Sequence, residues 1–357
     1  MKHWQHSCLT CALSFCLHGL ATAQEWEVPR TEFGQPDMQG FWTNSTQTPL
    51  ARDNRYGDKG FLTAEEAEQQ RQRWVSVYAT QGAAVDPERG APTDGRVAAY
   101  NNFWSDPRAD VVEINGEYRT SIITDPRDGK IPYLEPDEID RILKERIAAN
   151  PDGYVRITPI DNSVRAQWLA GPDVGPADGP EVRTFAERCL LSFLTLADGV
   201  PPPLLPTRYN SNYQIIQTDD YFVIQLEMVH DARIIPLNKD NQGTGVIKWL
   251  GDSVGYWEGD TLIVKTRNFH PQHSFQGSFG GTMTLVEEFE LIEPGKIRYG
   301  FTVEDPSTYS QPWSGEVAMR RLEEGEVIHE YACHEGNYGL PAILRGARFE
   351  EKTEEKL

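Results

Sequence analysis

The sequence predicts a mainly β protein, an antiparallel meander closing into a barrel, with a helical and irregular N-terminal half packed on it. Three observations predict this. From about Tyr209 onward, short runs alternate apolar and polar residues, the period-two pattern of half-buried strands. The runs are separated by tight acidic or glycine turns: Asp219-Asp220, Glu258-Gly259-Asp260, Glu293-Pro294-Gly295 and Glu323-Glu324-Gly325. About eight such strands suffice to close a sheet, and closure removes exposed edges.

The elements follow in order. Met1 to Ala23 reads as a signal peptide: a weakly basic head, an apolar stretch from Cys8 to Leu20, and Ala21-Thr22-Ala23 before a mature start at Gln24. Residues 24–206 form the N-terminal region. Pro36 to Trp42 reads as a buried anchor. Thr63-Ala64-Glu65-Glu66 is a capping box opening a helix to about Tyr78. Asn115-Gly116 turns a hairpin between Val111–Ile114 and Tyr118–Thr124. Asp125 to Gly129 is a further turn. Pro136 starts a helix to about Ala149. Residues 171–180 read as an irregular linker, and a short helix over Val182–Leu191 carries Cys189.

The barrel domain spans 207–350. Its strands read as Tyr213–Thr218, Tyr221–Val229, Gly255–Trp257, Thr261–Phe269, Thr282–Ile292, Lys296–Val303, Gly315–Arg321 and Glu326–Cys333. The expected type is a lipocalin-like (calycin-type) up-and-down barrel able to hold one ligand, with a β-sandwich as the competing arrangement. Residues 351–357 form a charged tail.

Composition narrows the function. The formal net charge is −20, which repels nucleic acid and anionic lipid. No segment beyond the leader is long and apolar enough to span a bilayer. The chain has 5 Cys. Three lie in the leader, so Cys189 and Cys333 are expected to pair in an oxidising compartment, periplasmic or secreted. No Walker loop, dinucleotide fingerprint or nucleophile elbow is recognised, which argues against nucleotide, nicotinamide and serine-hydrolase chemistry. No cofactor and no metal are expected. His270-Pro271-Gln272-His273 lacks a partner motif and reads as a solvated loop.

All mature histidines lie in the β half. In Tyr221–His230, Phe222, Ile224, Leu226 and Met228 share one face, and parity carries His230 onto it. Asp231 joins His230 only if the strand bulges there. A buried histidine beside a carboxylate suits acid–base catalysis; a core histidine bonded to a backbone carbonyl is the plain alternative. Glu287 sits on the apolar face of Met283, Leu285, Phe289 and Leu291. It is either a desolvated general acid or the partner of Arg233 or Arg298. His334 is the third titratable candidate, in the loop Cys333 to Gly339. Glu335, Asn337 and Tyr338 of that loop, with Arg233 stabilising developing charge, are the candidate substrate-binding residues.

The strings Val229 to Leu237, Trp249 to Ser253 through Trp257 to Leu262, and Glu330 to Asn337 resemble a large family of exported bacterial proteins, mostly of unassigned function. The likeness covers most of the mature chain and is strongest from 209 to 348. It implies that the His-Asp-x-Arg and Cys-His-Glu-Gly-Asn segments belong to the family pattern, and it favours an enzyme over an inert structural protein. The expectation is an exported enzyme. It would use histidine for elimination, isomerisation, cyclisation or hydrolysis of a small, largely uncharged molecule in a barrel cavity. The alternative is a carrier with the same barrel and no chemistry.

Overall fold

In the computed structural model the described residues are 26–81, 106, 108–149, 155–157, 167–169, 177–183, 187–190, 202–207, 209–237, 243–270, 273–279 and 281–354. The expected signal peptide and the end of the expected charged tail lie outside them. So do residues 171–176 of the expected linker and parts of the expected 182–191 helix. Three α-helices occur among the described residues: α1 (Ala64–Gln81), α2 (Pro136–Ala149) and α3 (Gly339–Glu354). None is long and apolar enough to cross a membrane.

Nine strands make the barrel: β1 (Gly40–Thr43), β2 (Asn212–Gln217), β3 (Tyr221–Leu226), β4 (Ala232–Pro236), β5 (Asp252–Glu258), β6 (Thr261–Arg267), β7 (Thr284–Glu293), β8 (Lys296–Glu304) and β9 (Trp313–Arg321). The hydrogen-bonded order runs β4-β3-β2-β1-β9-β8-β7-β6-β5. This is a meander read cyclically, in which the first strand pairs with the last: Trp42 lies opposite Arg321 on one side and Tyr213 on the other. Every ladder on this path is antiparallel. An odd number of strands cannot alternate all the way round a ring, so one neighbouring pair must run parallel. That pair is β4 and β5, joined by a single parallel bridge between Leu237 and Gly255. The barrel is therefore nearly, not fully, closed.

The meander pattern is legible strand by strand. The burial of β7 alternates without a break from Leu285 to Leu291, as period two requires. Inward side chains of the nine strands merge into one core. Trp42, Phe222, Phe289, Tyr299 and Trp313 are all fully buried in it. Phe289 touches Phe222 and Tyr299, with ring centroids 5.6 and 5.0 Å apart, within the favoured range for aromatic pairs. Residues 202–207, Pro-Pro-Leu-Leu-Pro-Thr, are buried throughout without being a strand. A buried loop must satisfy its backbone with side chains. Here Leu204 N donates to Tyr299 Oη at 2.8 Å, and Leu204 O accepts from Asn44 Nδ2 at 2.7 Å.

Four expectations need correction. β1 belongs to the barrel although it lies in the N-terminal region, and Ile123–Asp125 also pairs with β9. β4 was not expected as a strand. The expected strand Glu326–Cys333 does not form. The edge it needed at that end of β9 is taken by β1, whose Phe41 O accepts from Leu322 N at 2.9 Å. Glu326 instead binds Arg108 at 2.8 Å. Finally, the described part of the 182–191 helix is a 3-10 turn at Pro180–Val182 and a turn at 187–189, and α3 occupies 339–354, running into the expected tail.

The N-terminal half follows its local signals. Asn115 (φ 54°) and Gly116 (φ 80°) make the hairpin turn, joining Glu113–Ile114 to Glu117–Arg119. At α1, Glu66 N donates to Thr63 Oγ1 (3.2 Å) while Thr63 N donates to Glu66 Oε2 (2.7 Å). This is the reciprocal capping box. Thr63→Ala should cost about 1 kcal/mol of unfolding free energy, read as a lower urea midpoint. An unchanged midpoint would mean that α1 opens independently of the barrel.

Candidate functional site

The strand carrying His230 stops early. β3 ends at Leu226. Glu227 turns helical (φ −69°, ψ −47°), and the chain then passes through the left-handed region at Val229 (φ 65°, ψ 4°) and His230 (φ 50°) before β4. A β-branched residue at positive φ is strained, at roughly 1–3 kcal/mol. The turn is held by backbone: Leu226 N donates to Asp231 O at 2.8 Å, and His230 O accepts from Gln225 Nε2 at 3.0 Å. Parity does not survive such a turn. His230 is exposed and does not continue the inward face, while Glu227, placed by parity on the outer face, is 3% exposed.

Glu227 is the hub of this end of the barrel. Its carboxylate accepts from Asn210 Nδ2 (2.7 Å), Asn212 Nδ2 (3.2 Å) and His329 N (2.9 Å). It thus ties together the approach to β2, the β3–β4 turn and the segment after β9. Asp231, on the same turn, is partly buried. Burial pushes its carboxyl above the usual range, and nearby His230 partly offsets this. Close by in sequence to the hub's donors, the half-buried Tyr209 and Tyr331 lie near each other. Burial raises both, Tyr331 to about 12.

The C-terminal loop is pinned but does not bring its candidate catalytic and substrate-binding residues toward His230. Cys189 and Cys333 are disulfide-bonded, with Cα atoms 5.6 Å apart and a sequence separation of 144. Asn337 Nδ2 donates to Glu187 O at 2.8 Å, and Asn337 Oδ1 accepts from Leu340 N at 3.2 Å. Asn337 is therefore a tether and helix cap. His334, Glu335 and Tyr338 are exposed, Tyr338 by 81%. Nothing in this geometry converges on His230.

Glu287 and Arg233 meet inside the barrel, where both are almost fully buried. The guanidinium is bidentate: Nη1 to Oε1 at 2.9 Å and Nη2 to Oε2 at 2.6 Å. Tyr299 Oη also donates to Glu287 Oε1 at 2.9 Å. Both carboxylate oxygens and both Nη groups are committed to each other. The pair is an internal ion pair of the kind weighed above, and neither residue is placed to act on a bound molecule.

One string goes unrecognised in the sequence reading. Gly251-Asp252-Ser253-Val254-Gly255 spells Gly-x-Ser-x-Gly. A nucleophile elbow needs a sharp strand-to-helix turn, whereas Ser253 lies within β5. Its hydroxyl is bonded to Thr266 Oγ1 (2.9 Å) and lies 3.3 Å from Arg233 Nη2. His270 and His273 also differ from a solvated pair. His273 is 1% exposed against Phe269, and His270 stacks on Trp249 at 4.0 Å. Among the described residues, no three His, Cys, Asp or Glu side chains come together as a metal site.

No family model, curated protein or solved structure matches the chain. The functional reading therefore rests on the geometry.

Proposed function

We propose that the chain is an exported, cofactor-free acid–base enzyme whose site is the strained turn Glu227–Asp231 at the end of the barrel, not the barrel interior. The observation that carries this is the adjacency of Asp231 and His230 on that turn. A carboxyl lifted by burial sits next to an exposed imidazole, on backbone held in a conformation that costs energy. Strain of this kind gathers at functional sites. A carboxyl whose hold on its proton is strengthened by burial is a candidate proton donor beside a ring that can carry protons. The packed interior moves the substrate from a cavity to this rim. The acceptable class is a small, largely uncharged molecule undergoing elimination, isomerisation, cyclisation or hydrolysis. A carrier that fills the interior has less support, because those positions hold large side chains. The net charge of −20 argues against nucleic-acid partners. The disulfide supports an oxidising compartment and is compatible with the exported family that the chain resembles.

The test is a mass-spectrometric turnover screen of neutral lactones, epoxides and hydroxy-ketones. It compares the oxidised wild-type chain with Asp231→Asn and His230→Ala. A compound whose turnover falls at least 10²-fold in both variants supports the assignment, a typical scale for one acid–base group. Equal turnover in all three proteins refutes it.

The acid has its own prediction. Its native titration midpoint, followed by carbon NMR of the Asp231 carboxyl, should lie above 3.8. The folded state then holds its proton longer than the unfolded chain. Stability contributed at this position is therefore highest at low pH and falls as pH rises through the window just above 3.8. Asp231→Asn should remove that part of the pH dependence. A midpoint at or below 3.8 would exclude Asp231 as the acid.

A further inference from the structure

We infer that the parallel seam between β4 and β5 is the opening of this barrel, and that Arg233 is its latch. The inference goes beyond the rim site, and none of its variants touches the Glu227–Asp231 turn.

The seam follows from the odd strand count, and its backbone is thinly joined. Toward β3, the donors of β4 are fixed by its flanks: Leu226 N bonds Asp231 O and Leu237 N bonds Asp220 O. Antiparallel pairs alternate in steps of two, so the odd-numbered residues 233 and 235 bond to β3. The amides of Ala232 and Ile234 therefore face β5. Position 236 is proline, which has no amide to offer, a residue that sheets confine to edges. Against β5 stands the one bridge from Leu237 to Gly255.

Side chains do what the ladder does not. Arg233 rises from β4 and reaches across the seam. Its Nη2 lies 3.3 Å from Ser253 Oγ on β5 and 3.3 Å from Thr266 Oγ1 on β6, while both Nη groups hold Glu287 on β7. One guanidinium thus spans four strands. Apolar packing supports it where Gly255 has no side chain. A Cβ there would meet Ile235 Cγ2 and Leu237 Cδ2 at 3.1 Å each, so β4 presses directly on the β5 backbone. Elsewhere in the ring the antiparallel ladders run from two paired residues, between β1 and β9, to nine, between β7 and β8, all longer than the single bridge at the seam. The seam is therefore the segment with the lowest opening free energy, and its opening exposes the Arg233–Glu287 centre and the adjoining core to solvent or a ligand.

Native-state hydrogen exchange by mass spectrometry on the full oxidised chain tests this. In the wild type, peptides covering 232–236 and 252–258 should exchange faster than those of β7 and β8. Ser253→Ala removes one stitch from the latch and should raise exchange in the two seam peptides by roughly three- to tenfold, with β7 and β8 unchanged. Gly255→Ala, which wedges the seam without touching the latch, should act on the same peptides. Arg233→Lys keeps a charge for Glu287 but lacks the planar fork, and should open the seam more than Ser253→Ala does. Seam peptides as protected as β8 in the wild type would overturn the inference. So would variants that raise exchange evenly around the barrel, because the latch would then hold the whole fold and not the seam.

Discussion

Glu287→Leu should lower the unfolding free energy by roughly 3–5 kcal/mol, the loss expected when one partner of a buried ion pair is removed. The leucine fits the volume, but Arg233 is left charged at 2% exposure with only two hydroxyls beside it. Removing both charges should be far milder. Arg233→Met with Glu287→Leu replaces the pair by apolar groups of similar size, an exchange that is often neutral or better. Recovery should be incomplete, because Tyr299 then loses the acceptor of its 2.9 Å hydrogen bond, at roughly 1–3 kcal/mol. Urea unfolding of the two single variants and the double variant closes the cycle. A loss under about 1 kcal/mol in the Glu287 single variant would mean that water already reaches the pair, and the account of a sealed interior would fail.

Reduction of Cys189–Cys333 should lower stability by roughly 3–5 kcal/mol, because the bond closes a loop long enough to remove much of the unfolded chain's freedom. The sequence separation is 144. The effect should also be local. The bond anchors the segment whose His329 N reaches Glu227 and whose Asn337 binds Glu187 O. Its loss should loosen the hub before the barrel itself. A thermal melt with and without reductant, repeated on Cys189→Ala/Cys333→Ala, measures the global term. Exchange at 327–333 measures the local one. A melting temperature unmoved by reductant would remove the disulfide from any account of stability.

Much of the fold was legible because period two is a strong signal where strands are long and one face is buried. The stretches around 213–217, 261–267, 284–292 and 296–303 declare themselves in this way. Where the signal failed, the reasons are particular. β4 reads Ala-Arg-Ile-Ile-Pro, with a charge facing inward and a proline at the edge, and both count against a strand. β1 has four residues and partners far away in sequence. The strand expected at 326–333 has acceptable chemistry, but its edge was already occupied, which local pattern cannot reveal.

The site was half legible. The His230-Asp231 doublet announces itself as polarity after an apolar run. Its direction was misread because parity assumes an unbroken strand, and the chain turns at Glu227. Glu227 itself was hidden for the same reason, since counting by two put it outside. The expected Cys189–Cys333 disulfide is present; it is legible from the two cysteines that lie beyond the N-terminal stretch. The roles of Glu335 and Tyr338 were inferred from density of polar groups, which does not distinguish a wall from a solvated loop.

The pairing of Trp42 with Arg321 sets an order of events for the growing polypeptide. A chain made from its N-terminus cannot complete this ring until nearly its whole length has been delivered. Contacts so distant in sequence make assembly slow, and the strands of the middle must wait with one rim unmatched. A truncation before residue 321 should therefore yield aggregates in place of a smaller barrel.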